Sequence, residues 1–175
     1  MRMIPLLCGA LLATIAAAPP VGADSTVTIR GSKKQATTEG QVLLGASPEV
    51  VYDVVTDYAA WTNVFTDITS VNVKKAGRND AVVRIKSRAM SHNVTIRFDN
   101  EPGRVIRFKL VDAPWGARAA GEFVLEPEGS GTRVRATLYM DMVGAVGFFV
   151  PNNYIRKTRE AKLRTDLADL LIRFP

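Results

Sequence analysis

Residues 117–142 read ARAAGEFVLEPEGSGTRVRATLYMDM, two segments of alternating character around a turn. In the first, Ala119, Gly121, Phe123 and Leu125 share one parity, and Arg118, Glu122 and Glu126 share the other. In the second, Val134, Ala136, Leu138 and Met140 oppose Arg133, Arg135 and Asp141. Successive side chains of a strand point to opposite faces, so a period of two marks a half-buried strand. Gly129-Ser130-Gly131 supplies the turn. The stretch therefore predicts a β-hairpin with one apolar and one charged face.

The same period runs toward the N-terminus. Candidate strands cover Ile68–Lys75, Ala81–Arg88, His92–Asn100 and Arg104–Asp112. Between these four and the hairpin lie breaks of turn chemistry such as Gly77-Arg78-Asn79-Asp80, Glu101-Pro102-Gly103 and Pro114-Trp115-Gly116. Breaks this short join neighbours as hairpins, which predicts an antiparallel meander. Its inward parity collects Val83, Ile85, His92, Val94, Ile96, Phe98, Ile106, Phe108 and Leu110. The outward parity carries Arg84, Lys86, Arg97, Arg107 and Lys109. One sheet face is expected to be apolar and the other basic.

Beyond the hairpin, Asn152 to Phe174 reads as one long helix. Leu163, Leu167, Leu170, Leu171 and Phe174 fall on a single apolar stripe, and Arg156, Lys157, Arg159, Lys162 and Arg164 populate the front half. On the other side of the meander, Gln41–Ala46 reads as a short strand. Ser47-Pro48-Glu49 then makes a helix start: N-cap, proline at the first helical position, acid in the first turn. Val51, Val54, Val55 and Tyr58 recur at helical spacing, and a second short helix is expected over Ala59–Phe65, with Trp61 and Phe65 inward. Thr26–Arg30 reads either as an edge strand or as part of a flexible polar segment. The order strand, two short helices, six strands, long helix predicts an α+β fold: a curled antiparallel sheet holding the long C-terminal helix in its concavity. It occupies 40–175, after a polar lead-in at 24–39.

Residues 1–23 read as a cleavable secretory signal. Arg2 gives a positive start, Ile4 to Ala18 is free of charge, Pro19-Pro20 breaks the run, and Val21-Gly22-Ala23 offers small residues for cleavage. The run is too interrupted for a spanning helix. The expected product begins at Asp24 and is periplasmic or secreted. Cys8 is the only cysteine, so the exported domain has neither a disulfide framework nor a thiol nucleophile. Lys+Arg number 23 against 17 Asp+Glu. Outside the cytoplasm such a balance suits an anionic membrane surface, or simply solubility, better than nucleic acid. Exposed aromatics do not interleave with the basic strand residues, as a nucleic-acid stacking platform requires.

The block Ala46-Ser47-Pro48-Glu49-Val50-Val51-Tyr52-Asp53-Val54-Val55-Thr56-Asp57-Tyr58-Ala59-Ala60-Trp61 resembles the opening of START-like, or Bet v 1-like (SRPBCC), domains. It is most similar to the polyketide cyclase and coenzyme-Q-binding branch. Glu101-Pro102 with Arg104-Val105-Ile106, Gly121 to Pro127, Gly131-Thr132-Arg133-Val134 and Pro151 follow in the same order. The resemblance spans about Gly40 to Phe174. It implies a helix-grip fold with a cavity between sheet and C-terminal helix that holds lipids, sterols, quinones or polyketides. Some members are enzymes and many are carriers, so the resemblance does not select the ligand.

The residues allow either a solid core or a cavity over the apolar face. Small side chains at Ala119, Gly121 and Ala136 favour leftover space, and ligand pockets are concave and mostly apolar. The expected lining is the inward parity named above with Ala119, Gly121, Phe123, Val134, Ala136, Leu138, Leu163 and Leu167. Trp115, Phe148 and Phe149 are expected at the rim, where the two phenylalanines either touch a membrane or tuck under the helix. His92, the only histidine, is the one weak catalytic candidate. A general base needs an orienting partner, and no inward acid is expected beside it, so a rim histidine is the plainer reading. The carboxylates show no metal-ligand spacing, and neither a metal nor a cofactor is expected. The partners expected are an apolar small molecule and an anionic membrane surface, for a monomeric protein. Two alternatives stay open: a cyclase or hydrolase using His92, and an interaction module using Arg84, Arg97, Arg107 and Arg133.

Overall fold

The computed structural model describes residues 28–31, 37–88, 92–142 and 150–175, apart from the side chains of Gly31 and Trp115. The alternating segments form one antiparallel sheet of eight strands. These are β1 (Thr28–Gly31), β2 (Thr37–Leu44), β3 (Ile68–Ala76), β4 (Asp80–Ser87), β5 (Val94–Glu101), β6 (Val105–Asp112), β7 (Ala117–Glu128) and β8 (Gly131–Met142). β3 to β8 make the expected meander, and β2 closes onto its far edge, pairing with β8 from Thr37↔Tyr139 to Leu44↔Thr132. The order is β1-β2-β8-β7-β6-β5-β4-β3. Register shifts in β3–β4 and β5–β6 mark bulges, which bend a strand and raise its twist. They curl the sheet around its apolar side.

Three differences from the sequence reading stand out at strand starts. β1 pairs with β2 through Thr28↔Gln41, so the edge-strand alternative holds for Thr28–Gly31. β2 begins at Thr37, four residues before the expected strand, because Thr38 and Gly40 are buried beneath the C-terminal helix despite their polar or small character. β5 begins at Val94, and His92 lies in the bend before it, exposed.

The helical segment after β2 also divides more finely than its periodicity suggests. α1 (Pro48–Thr56) ends at Asp57, whose φ −74°, ψ 73° leaves the helical region. A 3₁₀ turn (Tyr58–Ala60) and α2 (Trp61–Val64) follow. The break aims Tyr58, Trp61 and Phe65 at the sheet, and all three are buried. Ser47 holds the extended N-cap conformation, but its side chain makes no capping hydrogen bond. Pro48 and Glu49 are left as the start signals that act.

α3 (Asn152–Arg173) lies across the concave face and packs on β2, with further contacts to β1 and β8. Gly40 permits this approach. A Cβ there would stand 2.8 Å from Leu167 Cδ1 and 3.0 Å from Leu163 Cδ2. At the helix end, Gly45 N–H donates to Phe174 O at 3.0 Å, tying α3 to the end of β2. Its buried line runs Ile155, Arg159, Leu163, Leu167, Leu170. Arg159 is thus a correction: it is buried with the stripe, donating from Nε to Thr38 Oγ1 (3.2 Å) and from Nη1 to Met140 O (3.1 Å). Burial lowers its pKa from the ordinary arginine value.

The convex face is less basic than its sequence parity implies. Arg107 pairs with Glu101 and Glu122, Arg133 with Glu128, and Arg135 with Glu126. Acids of β5 and β7 thus offset three of its arginines.

Candidate functional site

Because α3 is drawn toward β1, β2 and β8, it does not fill the concavity over the middle of the meander. A cavity of about 770 Å³ remains there, roofed by the Tyr154–Asp166 part of α3. Its size falls within the roughly 300–1,000 Å³ range of small-molecule sites.

The floor is the inward parity of β4 to β8. Ile85, Val94, Ile96, Phe98, Ile106, Phe108, Leu110, Ala119, Phe123 and Leu138 line it, with Leu163 from the roof. Val83, Val134, Ala136 and Leu167 are buried in the packed core and lie outside the cavity lining. α3 sits directly over β8 and β2, so the small side chain of Ala136 admits the helix rather than a guest. Gly121 also lies outside the lining. A Cβ there would stand 2.1 Å from Thr137 O and 2.6 Å from Phe108 Cζ, so the glycine serves a close backbone approach and the seating of Phe108.

One end of the cavity is closed by aromatic rings. Phe98 meets Tyr58, Trp61 and Phe108 at centroid distances of 4.5, 5.3 and 6.4 Å, and Phe108 meets Phe123 at 5.9 Å. Trp61 Nε1 donates to Val55 O at 2.8 Å, and Tyr58 OH accepts from Asn100 Nδ2 at 2.8 Å. These bonds satisfy the polar tips while the ring bodies pack. Burial pushes the Tyr58 hydroxyl up to about 12, so it stays protonated at any working pH.

The other end carries His92, Pro114, Arg118, Met142, Val150 and Tyr154. His92, Arg118 and Tyr154 are exposed, so this end is the mouth. His92 stands there as a rim residue, outside the strand expected to hold it. Trp115 belongs to the 3₁₀ turn Pro114–Gly116 beside it; its side chain, together with Phe148 and Phe149, lies outside the described residues. The expected signal, 1–23, lies outside them too.

A polar pole in the wall escaped the sequence reading. Asp67, Ser87, Lys162 and Asp166 all line the cavity. Pairing of Ile68 with Ser87, and Arg88 N–H donating to Asp67 O at 2.7 Å, set Asp67 and Ser87 at one end of the β3–β4 hairpin. Lys162 Nζ comes down from α3 and donates to Asp166 Oδ1 and, at 3.3 Å, to Asp67 Oδ1. Asp169 is engaged elsewhere, accepting from Thr66 N–H at 2.8 Å and from Thr66 Oγ1. Burial, countered by Lys162, pushes the Asp166 carboxyl up to about 6, whereas the two facing aspartates hold the Lys162 ammonium above its ordinary value despite burial. The two directions agree once the group is taken whole, since one ammonium serves more than one carboxylate. Lys162, expected only as one of the basic residues in the front half of the helix, therefore serves the cavity wall.

The signals for this pole were modest. Ser87 follows Val83 and Ile85 on the inward parity of β4, and Lys162–Asp166 is an i,i+4 pair beside the leucine stripe. Nothing in the chain order announces that Asp67 meets them. Among the described residues, no group of three or more His, Cys, Asp and Glu side chains is disposed to hold a metal ion, and no helix is long and apolar enough to cross a membrane.

A sheet wrapped on a terminal helix with an apolar hollow between them is the arrangement that the sequence resemblance implied. The model of the family described as "Polyketide cyclase / dehydrase and lipid transport" matches residues 44–163. The chain belongs to this family. No curated protein matches it. Among solved structures, the Zhui aromatase/cyclase of Streptomyces sp. R1128 superposes with TM-score 0.68 at 20% identity, covering 83% of this chain and 93% of that one. A STAR-related lipid transfer protein of Xanthomonas axonopodis gives 0.66 at 18%, covering 84% and 91%. A START superfamily protein of Mycobacterium smegmatis gives 0.66 at 15%, covering 79% and 96%. At such identities the likeness establishes the fold, the START-like helix-grip, and not the ligand.

Proposed function

We propose that this protein binds a lipid, sterol-like or quinone-like molecule in the cavity under α3 and carries it. The observation that supports this reading is the 770 Å³ space, whose floor is a continuous sheet of aliphatic and aromatic side chains. Apolar surface of that extent left in contact with water is unfavourable by about 25 cal/mol per Å², and an apolar guest relieves it. The named STAR-related lipid transfer neighbour is consistent with it. Loading proceeds through the mouth beside His92 and Tyr154. Arg156 and Lys157 follow within the next turn of α3, a setting suited to brief contact with an anionic membrane after export. The protein acts as a monomer outside the cytoplasm, once the signal at 1–23 is removed.

The test is mass spectrometry of lipids that co-purify with the mature protein, together with uptake of an apolar fluorescent probe. A bound lipid, or saturable uptake of the probe, is expected. Protein that is consistently empty and takes up no probe refutes the carrier reading.

A second reading, cyclase-type chemistry with His92 as base, has one supporting observation: His92 lines the mouth of the same cavity. It predicts that His92→Ala abolishes turnover of a polyketide substrate without loss of binding. Turnover unchanged in that variant removes it.

A further inference from the structure

Two polar atoms in the cavity wall have no hydrogen-bond partner among the described residues: Asp67 Oδ2 and Ser87 Oγ. Ser87 is 2% exposed. Leaving such groups unpaired is unfavourable, and native proteins tolerate few of them. Both belong to the pole where Lys162 is shared between Asp67 and Asp166. The pole therefore combines a surplus of negative charge with acceptor atoms that are not engaged. A surplus of this sign attracts donors and repels anions. The rest of the floor is apolar, so a guest that satisfies the pole is apolar elsewhere.

We infer that Asp67 and Ser87 recognise the hydrogen-bond-donating head, a hydroxyl or an ammonium, of an otherwise apolar ligand. The head's O–H or N–H donates to Asp67 Oδ2. Ser87 Oγ accepts a second hydrogen from an ammonium, or donates its own to the oxygen of a hydroxyl. Lys162 holds Asp67 through its other oxygen, Oδ1, a positioning role, and Asp166 in turn holds Lys162. The inference rests on the carrier reading and specifies which end of the ligand is held by polar groups: the head sits at Asp67 and Ser87, and the tail lies along the apolar floor.

The experiment is displacement of N-phenylnaphthylamine from the mature protein by four chains of one length: hexadecanol, hexadecylamine, methyl hexadecyl ether and hexadecanoate. Wild-type protein is expected to bind the alcohol and the amine about tenfold tighter than the ether, as one hydrogen bond to a charged group implies, and to bind the carboxylate more weakly than the ether. Ser87→Ala with Asp67→Asn is expected to bring the alcohol and the amine to the affinity of the ether. Should the double variant not fold, Ser87→Ala alone carries the test, since it removes an unpaired buried oxygen and keeps the packing. Equal affinity of wild type for alcohol and ether, or a preference that survives in the variant, overturns the inference and leaves the carrier reading standing. A probe that never binds overturns both.

Discussion

Lys162 is the cation on which the cavity wall balances, and Lys162→Met tests that account most severely. The methionine keeps most of the aliphatic stem, so packing of α3 on the cavity wall changes little. What is lost is the ammonium, whose partners are Asp166 Oδ1 and, at 3.3 Å, Asp67 Oδ1. Removing one partner of a buried ion pair leaves an uncompensated charge and costs about 3–5 kcal/mol. For a domain of this size each kcal/mol lowers Tm by roughly 2–4 °C, so a fall of about 10 °C is expected. The loss has a pH signature. Asp166 titrates at about 6 in the folded protein with Lys162 present. Without the lysine its pKa rises further, because Lys162 is the influence that lowers it. At about pH 5 the Asp166 carboxyl then holds its proton and less charge is stranded, whereas above about pH 7 it is ionised or is neutralised at a cost. Urea denaturation at both pH values reads the difference. A loss that is equal at the two, or that stays under about 1 kcal/mol at neutral pH, refutes the reasoning.

In the unsubstituted protein, Asp166 has a folded pKa of about 6 against an ordinary 3.8. Its contribution is therefore complete below pH about 4 and declines as pH rises to 6, by up to about 3 kcal/mol. Asp166→Asn should flatten that slope in a pH series of melting curves, and an unchanged slope places the titration elsewhere. Gly121→Ala forces a Cβ to within 2.1 Å of Thr137 O, a backbone atom that cannot swing aside. Overpacking of about 1–3 kcal/mol should appear as a lower Tm, and a Tm that rises would show that the strand yields freely. Ala119→Phe projects a ring from the floor into the cavity. Probe uptake should drop about tenfold or more with Tm unchanged or raised, and full uptake would show that the guest lodges elsewhere.

Much of the architecture was legible because its signals are local. Period-two alternation depends only on neighbouring residues, so β4 to β8 could be placed to within about two residues. The leucines of α3 announce a buried stripe in the same way. The alternation of Ile85, Ile96, Phe108 and Phe123 likewise named most of the cavity floor. It also named Val83, Val134, Ala136 and Leu167, which lie in solid core. Parity tells which face a side chain takes and not what stands opposite. What stands opposite depends on where α3 settles, and Gly40 decides that by admitting the helix over β2.

The sequence by itself determined the α+β class, the meander, the terminal helix and the apolar character of one sheet face, since each follows from propensity and periodicity within a single segment. Only the tertiary structure decided that the concavity is partly open. It also decided that Lys162, read along the helix as one cation among several, turns inward to meet an aspartate 95 residues distant. Charge along a chain carries no direction. Whether a lysine faces water or a buried acid is settled by which surfaces the packed helix covers, and that is a property of the assembled fold.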